Sequence, residues 1–377
     1  MLTNKIKLFK IFGFTVSIDI SWFFLLIIVT WSLASGFFPG SYRGLSTLTY
    51  WIMGIAGAFG LFASITLHEL AHSFVARRYG IPMRGITLFL FGGVAEAGDE
   101  PPDPEAELKM SVAGPAASIA LGAIFFALSL PAKTGAPVAL FGVLRYLAFI
   151  NGLLALFNLI PAFPLDGGRV LRSFIWRRKR DLREATRITS TIGRAFSFVL
   201  IAFGVFNLFL ANFVAGMWWF IIGLFLNNAA RMSYRQVLIR SFLRGESVSR
   251  FMKADPVVVP HNTTLTKLVE DYIYRHHYKM FPVVEGKRLL GCVTMKQLGS
   301  IPREEWGTHT VAELAQRCSR ENSVKPDADA AKILSHMNRT GRSRLMVVDD
   351  NRLVGVITLK DMLEHISLRM ELEKVGE

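Results

Sequence analysis

Six long apolar segments constrain this chain more than any other feature of its sequence. A helix needs about 20 mostly apolar residues to cross a bilayer. Segments of that kind lie near residues 16–38, 51–75, 108–130, 138–160, 188–211 and 213–230. The composition agrees, because 51% of the residues are hydrophobic and only 19% are charged, against roughly 25% in an average soluble domain. We therefore expect a polytopic α-helical membrane protein with six spans.

The basic residues predict how these spans are oriented. The net charge is +14, and Lys and Arg cluster before the first apolar segment and after the second, fourth and sixth. Arg172 is one of the cations assigned to the loop after the fourth segment. Cytoplasmic loops are the ones enriched in Lys and Arg, so we expect the N-terminus and the C-terminal third in the cytoplasm. This pattern favours a lipid bilayer as partner and argues against nucleic acid.

The region between the second and third segments has a different character. Residues 85–94 are β-prone and too few to span a membrane as a helix, which predicts a small membrane-associated β-hairpin or sheet. The stretch from Glu96 to Glu107 is acidic and rich in proline, which predicts a surface loop.

A candidate metal motif, His68-Glu69-Leu70-Ala71-His72, closes the second apolar segment. Two histidines four residues apart share one helix face and can hold one Zn²⁺. Glu69 lies beside that face and can take a proton from a water molecule. The alternative is a pair of interfacial histidines with a salt-bridged glutamate, but a charged residue deep in a membrane usually has a task.

Catalytic zinc needs a third protein ligand. The remaining histidines all lie in the C-terminal third, so a carboxylate must supply it, and Asp166 is the best candidate. Pro161 and Pro164 break the helix before it, and the glycines that follow permit unusual backbone angles. The alternative for Asp166 is a helix cap at the membrane surface.

The C-terminal third contains an internal repeat. Residues 288–296 align with residues 352–360 at an offset of 64, and the preceding strands match as well. Each copy predicts a strand, a turn, a strand and a helix, so we expect a soluble α/β pair. The predicted organisation is a membrane domain over 1–235, a linker over 236–246, the repeat pair over 247–368 and a tail over 369–377.

Together these motifs resemble a known family. The His68–His72 motif, with Asn158, Pro161 and the sequence Leu165-Asp166-Gly167-Gly168, is similar to the site-2 protease family, and the repeats resemble CBS domains. The combination resembles the prokaryotic branch of that family with a C-terminal CBS pair, which implies the cell membrane of a prokaryote. The resemblance implies that His68, His72 and Asp166 bind one catalytic zinc ion and that Glu69 is the catalytic acid and base. It also implies hydrolysis of a peptide bond in or near a membrane-spanning helix of a substrate protein.

Asn158 matches the asparagine of the family's third-ligand motif. Its amide would orient the substrate or stabilise the oxyanion, and the alternative is a polar contact between helices. A helical substrate must be extended locally before it is cut. We hypothesise that the strand containing Phe91, Gly92 and Gly93 binds it along an edge, whereas the alternative is a purely structural hairpin.

The CBS resemblance implies binding of ATP or another adenosine nucleotide. The family holds the ribose with a Thr or Ser and an Asp three residues later, which matches Thr358 and Asp361. The first repeat has Thr294, but Gln297 replaces the acid, so one competent site is expected. The alternative is a degenerate pair that serves only to form a homodimer.

Two other functions remain open at this stage. One is a channel or transporter regulated by the CBS pair, in which the histidines and acids would line an ion path. The other is an inactive scaffold, although the complete set of His68, Glu69, His72 and Asp166 argues against it.

Overall fold

A computed structural model describes residues 5–89, 92–97, 100–135, 137–286, 288–319, 321–350 and 352–375. The chain divides into two compact units, Met1–Val237 and Leu238–Glu377.

The first unit is built on long apolar helices. Within the described residues, six of them are long and apolar enough to cross a membrane. In chain order the helices of this unit are α1 (Ile20–Ser41, with a π-helical turn at Leu33–Phe37), α2 (Thr47–Arg78), α3 (Pro104–Gly135), α4 (Val138–Asn158), the shorter α5 (Asp166–Lys179), α6 (Leu182–Phe209) and α7 (Phe213–Leu243). The predicted six-span fold class is confirmed.

A four-stranded sheet accompanies the helices. Its strands are β1 (Lys5–Ile11), β2 (Phe14–Asp19), β3 (Met83–Phe89) and β4 (Gly92–Ala97), in the order β1-β2-β3-β4. The β2–β3 pair is parallel, and the two outer pairs are antiparallel. The predicted strands near residues 85–94 are therefore part of a larger sheet.

The N-terminal hairpin was not predicted from the sequence, and the first span begins at Ile20 rather than near residue 16. The two residues between β1 and β2, Phe12 and Gly13, have φ of 50° and 88°, as a tight two-residue hairpin requires. Asp19 ends β2 and caps α1 by accepting a hydrogen bond from the Ser21 amide. The sequence of β2, FTVSID, alternates apolar and polar residues as a half-buried strand does, whereas α1 is almost continuously apolar, so the end of this alternation marks a boundary that apolar content alone does not.

The sheet packs on the helix that carries the metal motif. Phe14 and Ile18 from β2 and Ile86 from β3 share a buried cluster with Phe62 and Leu70 of α2. Leu70, at the centre of the metal motif, is only 2% exposed. One side of α2 is thereby fixed against the sheet.

The predicted surface loop from Glu96 to Glu107 is wrong at both ends. Strand β4 extends to Ala97 and α3 begins at Pro104, so Glu107 lies in a helix and is fully buried. Its charge is balanced by Arg172, which is itself 2% exposed and is not the exposed loop cation that the sequence suggested. Local composition cannot reveal a pairing between residues 65 positions apart.

The second unit contains the two repeats. Its sheets have the orders β5-β6-β7-β8 and β11-β10-β9. The strands are β5 (Val259–Pro260), β6 (Met280–Glu285), β7 (Arg288–Thr294), β8 (Gln316–Arg317), β9 (Ser323–Val324), β10 (Arg344–Asp349) and β11 (Arg352–Thr358). The helices are α8 (Leu265–Lys267, continuing through π-helical Leu268–Ile273 to Tyr274–His276), α9 (Met295–Leu298), α10 (Val311–Leu314), α11 (Ala330–Thr340) and α12 (Leu359–Val375), with 3₁₀ turns at Val248–Arg250 and Arg303–Glu305.

The internal repeat is confirmed by the strand pairing. The hairpins β6–β7 and β10–β11 have the same antiparallel register, and each has an irregularity at the same place, after Val283 and after Val347. Helix α7 continues to Leu243, which is fully buried in the core of the second repeat. Residues 236–243 are thus helical, and α12 extends to Val375.

Candidate metal centre

Helix α2 presents both motif histidines on one face. The Nε2 atoms of His68 and His72 lie 3.2 Å apart. The two side chains are buried, with 4% and 6% exposure. They contact α3, whereas Leu70 packs into the sheet core. The sheet therefore holds α2 from one side while its histidines face the interior of the helical bundle.

Asp166 reaches the same point from the first turn of α5. Its Oδ2 atom lies 3.2 Å from the Nε2 atom of His68 and 3.2 Å from that of His72. Asp166 is 7% exposed. The structure thus brings together three side chains that the sequence singled out separately.

These donor atoms fit a zinc ion. Tetrahedral zinc with bonds of about 2.0 to 2.2 Å separates its ligand atoms by about 3.3 to 3.6 Å. The three separations here are each 3.2 Å. Two imidazoles and one carboxylate form a donor set that catalytic zinc sites use, with a fourth position left for water.

Helix α3 fixes the orientation of both imidazoles. The Nδ1 atom of His72 donates to the Met110 carbonyl at 2.6 Å, so the Nε2 atom of the neutral ring carries a lone pair directed at the centre. The Nδ1 atom of His68 lies 2.9 Å from the Ser118 hydroxyl. Such supporting contacts set the tautomer and aim of metal-binding histidines. Lone pairs and a carboxylate oxygen that converge this closely are stabilised by a cation between them.

Gly114 provides space for this centre and was missed by the sequence interpretation. A Cβ atom at this position of α3 would lie 2.2 Å from His72 Nε2 and 2.6 Å from His68 Nε2. The short run of small residues from Ala113 to Ser118 is the signal that could have revealed it, because small residues let helices approach closely in membranes.

Glu69 lies against the start of β4. A Cβ atom on Gly93 would approach the Glu69 Cγ atom to 2.7 Å, so the backbone of β4 passes directly over this side chain. Gly93 pairs with Leu88 of β3, and β4 lies at the edge of the sheet. Gly92 has φ of 124°, a conformation that favours glycine. Phe91, the third residue of the predicted substrate strand, lies outside the described residues.

The segment that leads to Asp166 is irregular, as the prolines predicted. The role of its glycines differs from the expectation, because Gly167 and Gly168 are needed for close approach rather than for unusual angles. Cβ atoms there would lie 2.2 Å from the Leu159 carbonyl oxygen and 2.3 Å from the Phe163 nitrogen. Gly193 of α6 presses on the same segment, where a Cβ atom would come within 1.9 Å of the Phe163 oxygen.

Asn158 is the last residue of α4 and is partly buried. Its amide nitrogen donates to the Leu154 carbonyl of its own helix at 3.0 Å. An amide carries two N–H groups, so this bond occupies only part of its donor capacity.

The predicted nucleotide residues occupy equivalent places in the two repeats. Thr294 and Thr358 each end a strand and begin a helix. Thr294 donates to the Gln297 amide oxygen at 2.8 Å, and Thr358 donates to the Asp361 carboxylate at 2.6 Å. Lys253 lies 3.2 Å from Asp361, and this contact raises the pKa of the lysine.

The fold and the site define a class of protein before any relative is considered: a multi-pass membrane protein with a buried His-Glu-x-x-His motif whose histidines converge with an aspartate on a candidate metal centre. The family model described as Peptidase family M50 matches residues 56–134 and 131–200, and the CBS domain model matches 248–298 and 311–368. The chain belongs to the M50 or site-2 protease family and is a zinc metalloprotease with paired CBS domains.

The relatives match over nearly the full length. A Mycobacterium tuberculosis protein named "Putative zinc metalloprotease Rip3" is 34% identical over 370 residues, 97% of this chain and 94% of that protein. Zinc metalloprotease MJ0392 of Methanocaldococcus jannaschii is 30% identical over 373 residues, 97% of each chain. These relatives favour the protease over the channel or transporter that the sequence left open.

Two solved structures each align with a fraction of this chain. A site-2 protease from Methanocaldococcus jannaschii aligns with a TM-score of 0.42 and 30% identity, over 61% of this chain and 94% of that one. The CBS domain of a bacterial CNNM/CorC family Mg²⁺ transporter in complex with ATP aligns with a TM-score of 0.31 and 25% identity, over 35% and 96%.

Proposed function

We propose that this chain is an intramembrane zinc endopeptidase that cuts a peptide bond in or near a membrane-spanning helix of a substrate protein. His68, His72 and Asp166 hold the zinc ion, and Glu69 is the general acid and base. The observation that carries the proposal is the convergence of three buried donor atoms at mutual distances of 3.2 Å, beside an apolar helix long enough to span a bilayer.

The residues divide the chemistry between them. When bound, zinc supplies Lewis-acid activation of water and of the scissile carbonyl. Glu69 accepts a proton from the attacking water and delivers it to the leaving amine nitrogen. The Asn158 amide, through its remaining N–H group, orients the substrate or donates to the developing oxyanion.

The substrate, in this proposal, binds as an added strand beside β4. The edge position of β4 and the contact between Gly93 and Glu69 support this, because an added strand would run past the acid–base residue. We assign Gly92 and Gly93 of this edge, together with Phe91, to substrate binding. Extension of the substrate exposes a peptide bond that a helix would shield.

The first test is the zinc content of purified protein. We expect one zinc ion per chain in the wild type and in Glu69→Gln, which keeps all three ligands, and loss of zinc in Asp166→Ala, which removes one. Normal zinc content in Asp166→Ala would contradict the ligand assignment.

We further propose that the protein resides in the cytoplasmic membrane of a prokaryote, with its N-terminus and CBS pair in the cytoplasm. The distribution of Lys and Arg supports this orientation. A reporter enzyme that is active only on the outer side of the cytoplasmic membrane should be inactive when fused to the C-terminus. Activity of that fusion would reverse the assignment.

For the CBS pair, we propose that Thr358 and Asp361 bind the ribose of ATP or another adenosine nucleotide, and that binding modulates proteolysis. The equivalent position in the first repeat is Gln297, so Thr294 alone forms a weaker site. A homodimer through the CBS pair is part of the same proposal. The carboxylate of Asp361 and the nearby Lys253 supply an acceptor for hydroxyl groups and a positive charge for phosphate.

A further inference from the structure

A buried ion pair joins the two helices that flank the metal centre. Glu107 lies in the first turn of α3 and is fully buried, and Arg172 lies in α5 and is 2% exposed. The Nε atom of Arg172 donates to the Glu107 Oε1 atom at 2.6 Å, and its Nη2 atom contacts the same oxygen. Arg172 is the largest of the fully buried side chains.

The guanidinium of Arg172 reaches three further segments. It lies 3.4 Å from the Thr186 hydroxyl of α6 and 3.4 Å from the Glu100 carboxylate, which follows β4. Its carbon atom is 5.0 Å from the centre of the Phe163 ring, in the irregular segment before Asp166. One planar cation therefore contacts α3, α6, the residue Glu100 after β4 and the segment before Asp166.

The carboxylate of Glu107, by contrast, has arginine side chains as its partners. Its second oxygen, Oε2, has no hydrogen-bond partner among the described residues. The nearest additional cation is Arg169, whose Nε atom is 3.9 Å from Oε1. The geometry of the carboxylate is thus set by Arg172.

Both partners lie close in sequence to groups that shape the metal centre. Glu107 is three residues before Met110, whose carbonyl accepts the hydrogen bond of His72. Arg172 is in the same 14-residue helix as Asp166. The ion pair therefore fixes the distance between the helix that orients a histidine and the helix that carries the carboxylate ligand.

We propose that Glu107 and Arg172 are positioning residues for the metal centre: they hold Asp166 at the distance from His68 and His72 that zinc requires. This inference rests on the proposed ligand set. Its physical basis is the planar guanidinium of Arg172, whose N–H donors point in fixed directions. The guanidinium therefore sets the orientation of α3 relative to α5 as well as their distance, whereas a lysine ammonium acts as a point charge.

The stability of the fold does not by itself explain such a pair. Replacing a buried ion pair with apolar groups of similar volume is often neutral or stabilising, whereas removing one partner leaves a buried charge without compensation. The double variant Glu107→Gln/Arg172→Met distinguishes a role in fold stability from a role in positioning the metal centre. It removes both charges and keeps most of the volume.

The experiment uses full-length protein in detergent, with Co²⁺ as a spectroscopic substitute for zinc. The variants are the double variant and the charge-conserving Glu107→Asp and Arg172→Lys. The measurements are the visible absorption of bound Co²⁺, zinc affinity by chelator competition, and the midpoint of thermal unfolding. Lys109→Gln is the matched control, because it breaks an exposed ion pair with Glu105 on the same helix.

We expect the double variant to unfold near the wild-type temperature, yet to show a changed Co²⁺ spectrum and zinc affinity weaker by about 10- to 100-fold. Arg172→Lys should fall between it and wild type, and Lys109→Gln should match wild type. Wild-type spectrum and affinity in any folded variant at Glu107 or Arg172 would overturn the proposal. Failure of all three variants to fold would also overturn it, because the pair would then serve folding alone.

The wild-type protein separates this inference from the proposed function. If the wild type binds no zinc, the ligand assignment fails. If the wild type binds zinc with the expected affinity and the variants do so equally well, only the positioning role fails.

Discussion

At the scale of single residues, the space beside the histidines matters as much as the ligands. Gly114 has no side chain at a point where a methyl group would lie 2.2 Å from a proposed ligand atom. The contacts of Met110 and Ser118 with the two Nδ1 atoms also come from α3. This helix therefore supplies no ligand but determines where two of them point.

Gly114→Ala should abolish zinc binding. The added methyl group must displace the rings of His68 and His72, because both Nε2 atoms lie within 2.6 Å of its position. Metal analysis of purified protein is expected to show little or no bound zinc, a larger effect than the weakening of about 10- to 100-fold that loss of a supporting contact causes. The control is Gly152→Ala, since nothing lies within 4 Å of a Cβ atom there. Wild-type zinc content in Gly114→Ala would contradict this account of the site.

At the scale of elements, β4 combines two properties that a substrate strand requires. Among the described residues it pairs with β3 and with no other strand, and its first residues lie against Glu69. Edge strands are available for pairing with another chain. An extended substrate placed there would lie beside the acid–base residue.

Val94→Pro should therefore reduce cleavage while leaving zinc content normal. Proline disrupts the backbone hydrogen bonding of a strand, and a displacement of about 1 Å at a reacting group lowers the rate by roughly a hundredfold. Val94→Ala is the matched control and should cleave nearly as well as wild type. Unimpaired cleavage by Val94→Pro would exclude the substrate strand proposed here.

The sequence predicts some of the secondary-structure elements but not all of them. The helices, the β-prone segment and the repeat follow from local apolar content and periodicity. The hairpin before Ile20 was not predicted, because apolar content was counted there and the alternation of apolar and polar residues in β2 was not. The pairing of Glu107 with Arg172 and the packing of Gly193 on Phe163 depend on contacts between distant segments, which a single sequence does not encode locally.

For the metal site, the sequence indicated His68 and His72 because their spacing is local. Asp166 required an argument by elimination, and the structure places its carboxylate within 3.2 Å of both rings. Gly114 and Ser118 carry no chemical motif of their own. Their importance arises only from the packing of α3 on α2.

At the scale of the whole molecule, the chain combines a metalloprotease unit with a pair of CBS repeats. The second repeat joins Thr358 and Asp361 in one hydrogen bond and has Lys253 within 3.2 Å. The first repeat replaces the acid with Gln297, which caps its own helix. This difference is the reason that we propose one competent nucleotide site per chain.

Titration calorimetry of full-length protein with ATP tests the nucleotide proposal. Asp361→Asn should weaken binding by about 10- to 100-fold, because a hydrogen bond to a charged group contributes about 1.5 to 3 kcal/mol. Asp350→Asn removes the same charge from a turn of the same repeat and should bind as wild type does. Absence of heat change in the wild type with several adenosine nucleotides would contradict the proposal.

The central claim is that Glu69 moves the proton in cleavage of a membrane-embedded substrate. Membrane proteomics of cells that carry wild type or Glu69→Gln tests it most directly, with Glu105→Gln as the exposed-carboxylate control. We expect an uncut membrane-spanning protein to accumulate only with Glu69→Gln, bound to a variant that retains its zinc. Identical membrane proteins in all three strains, or full cleavage by a zinc-loaded Glu69→Gln, would contradict the account.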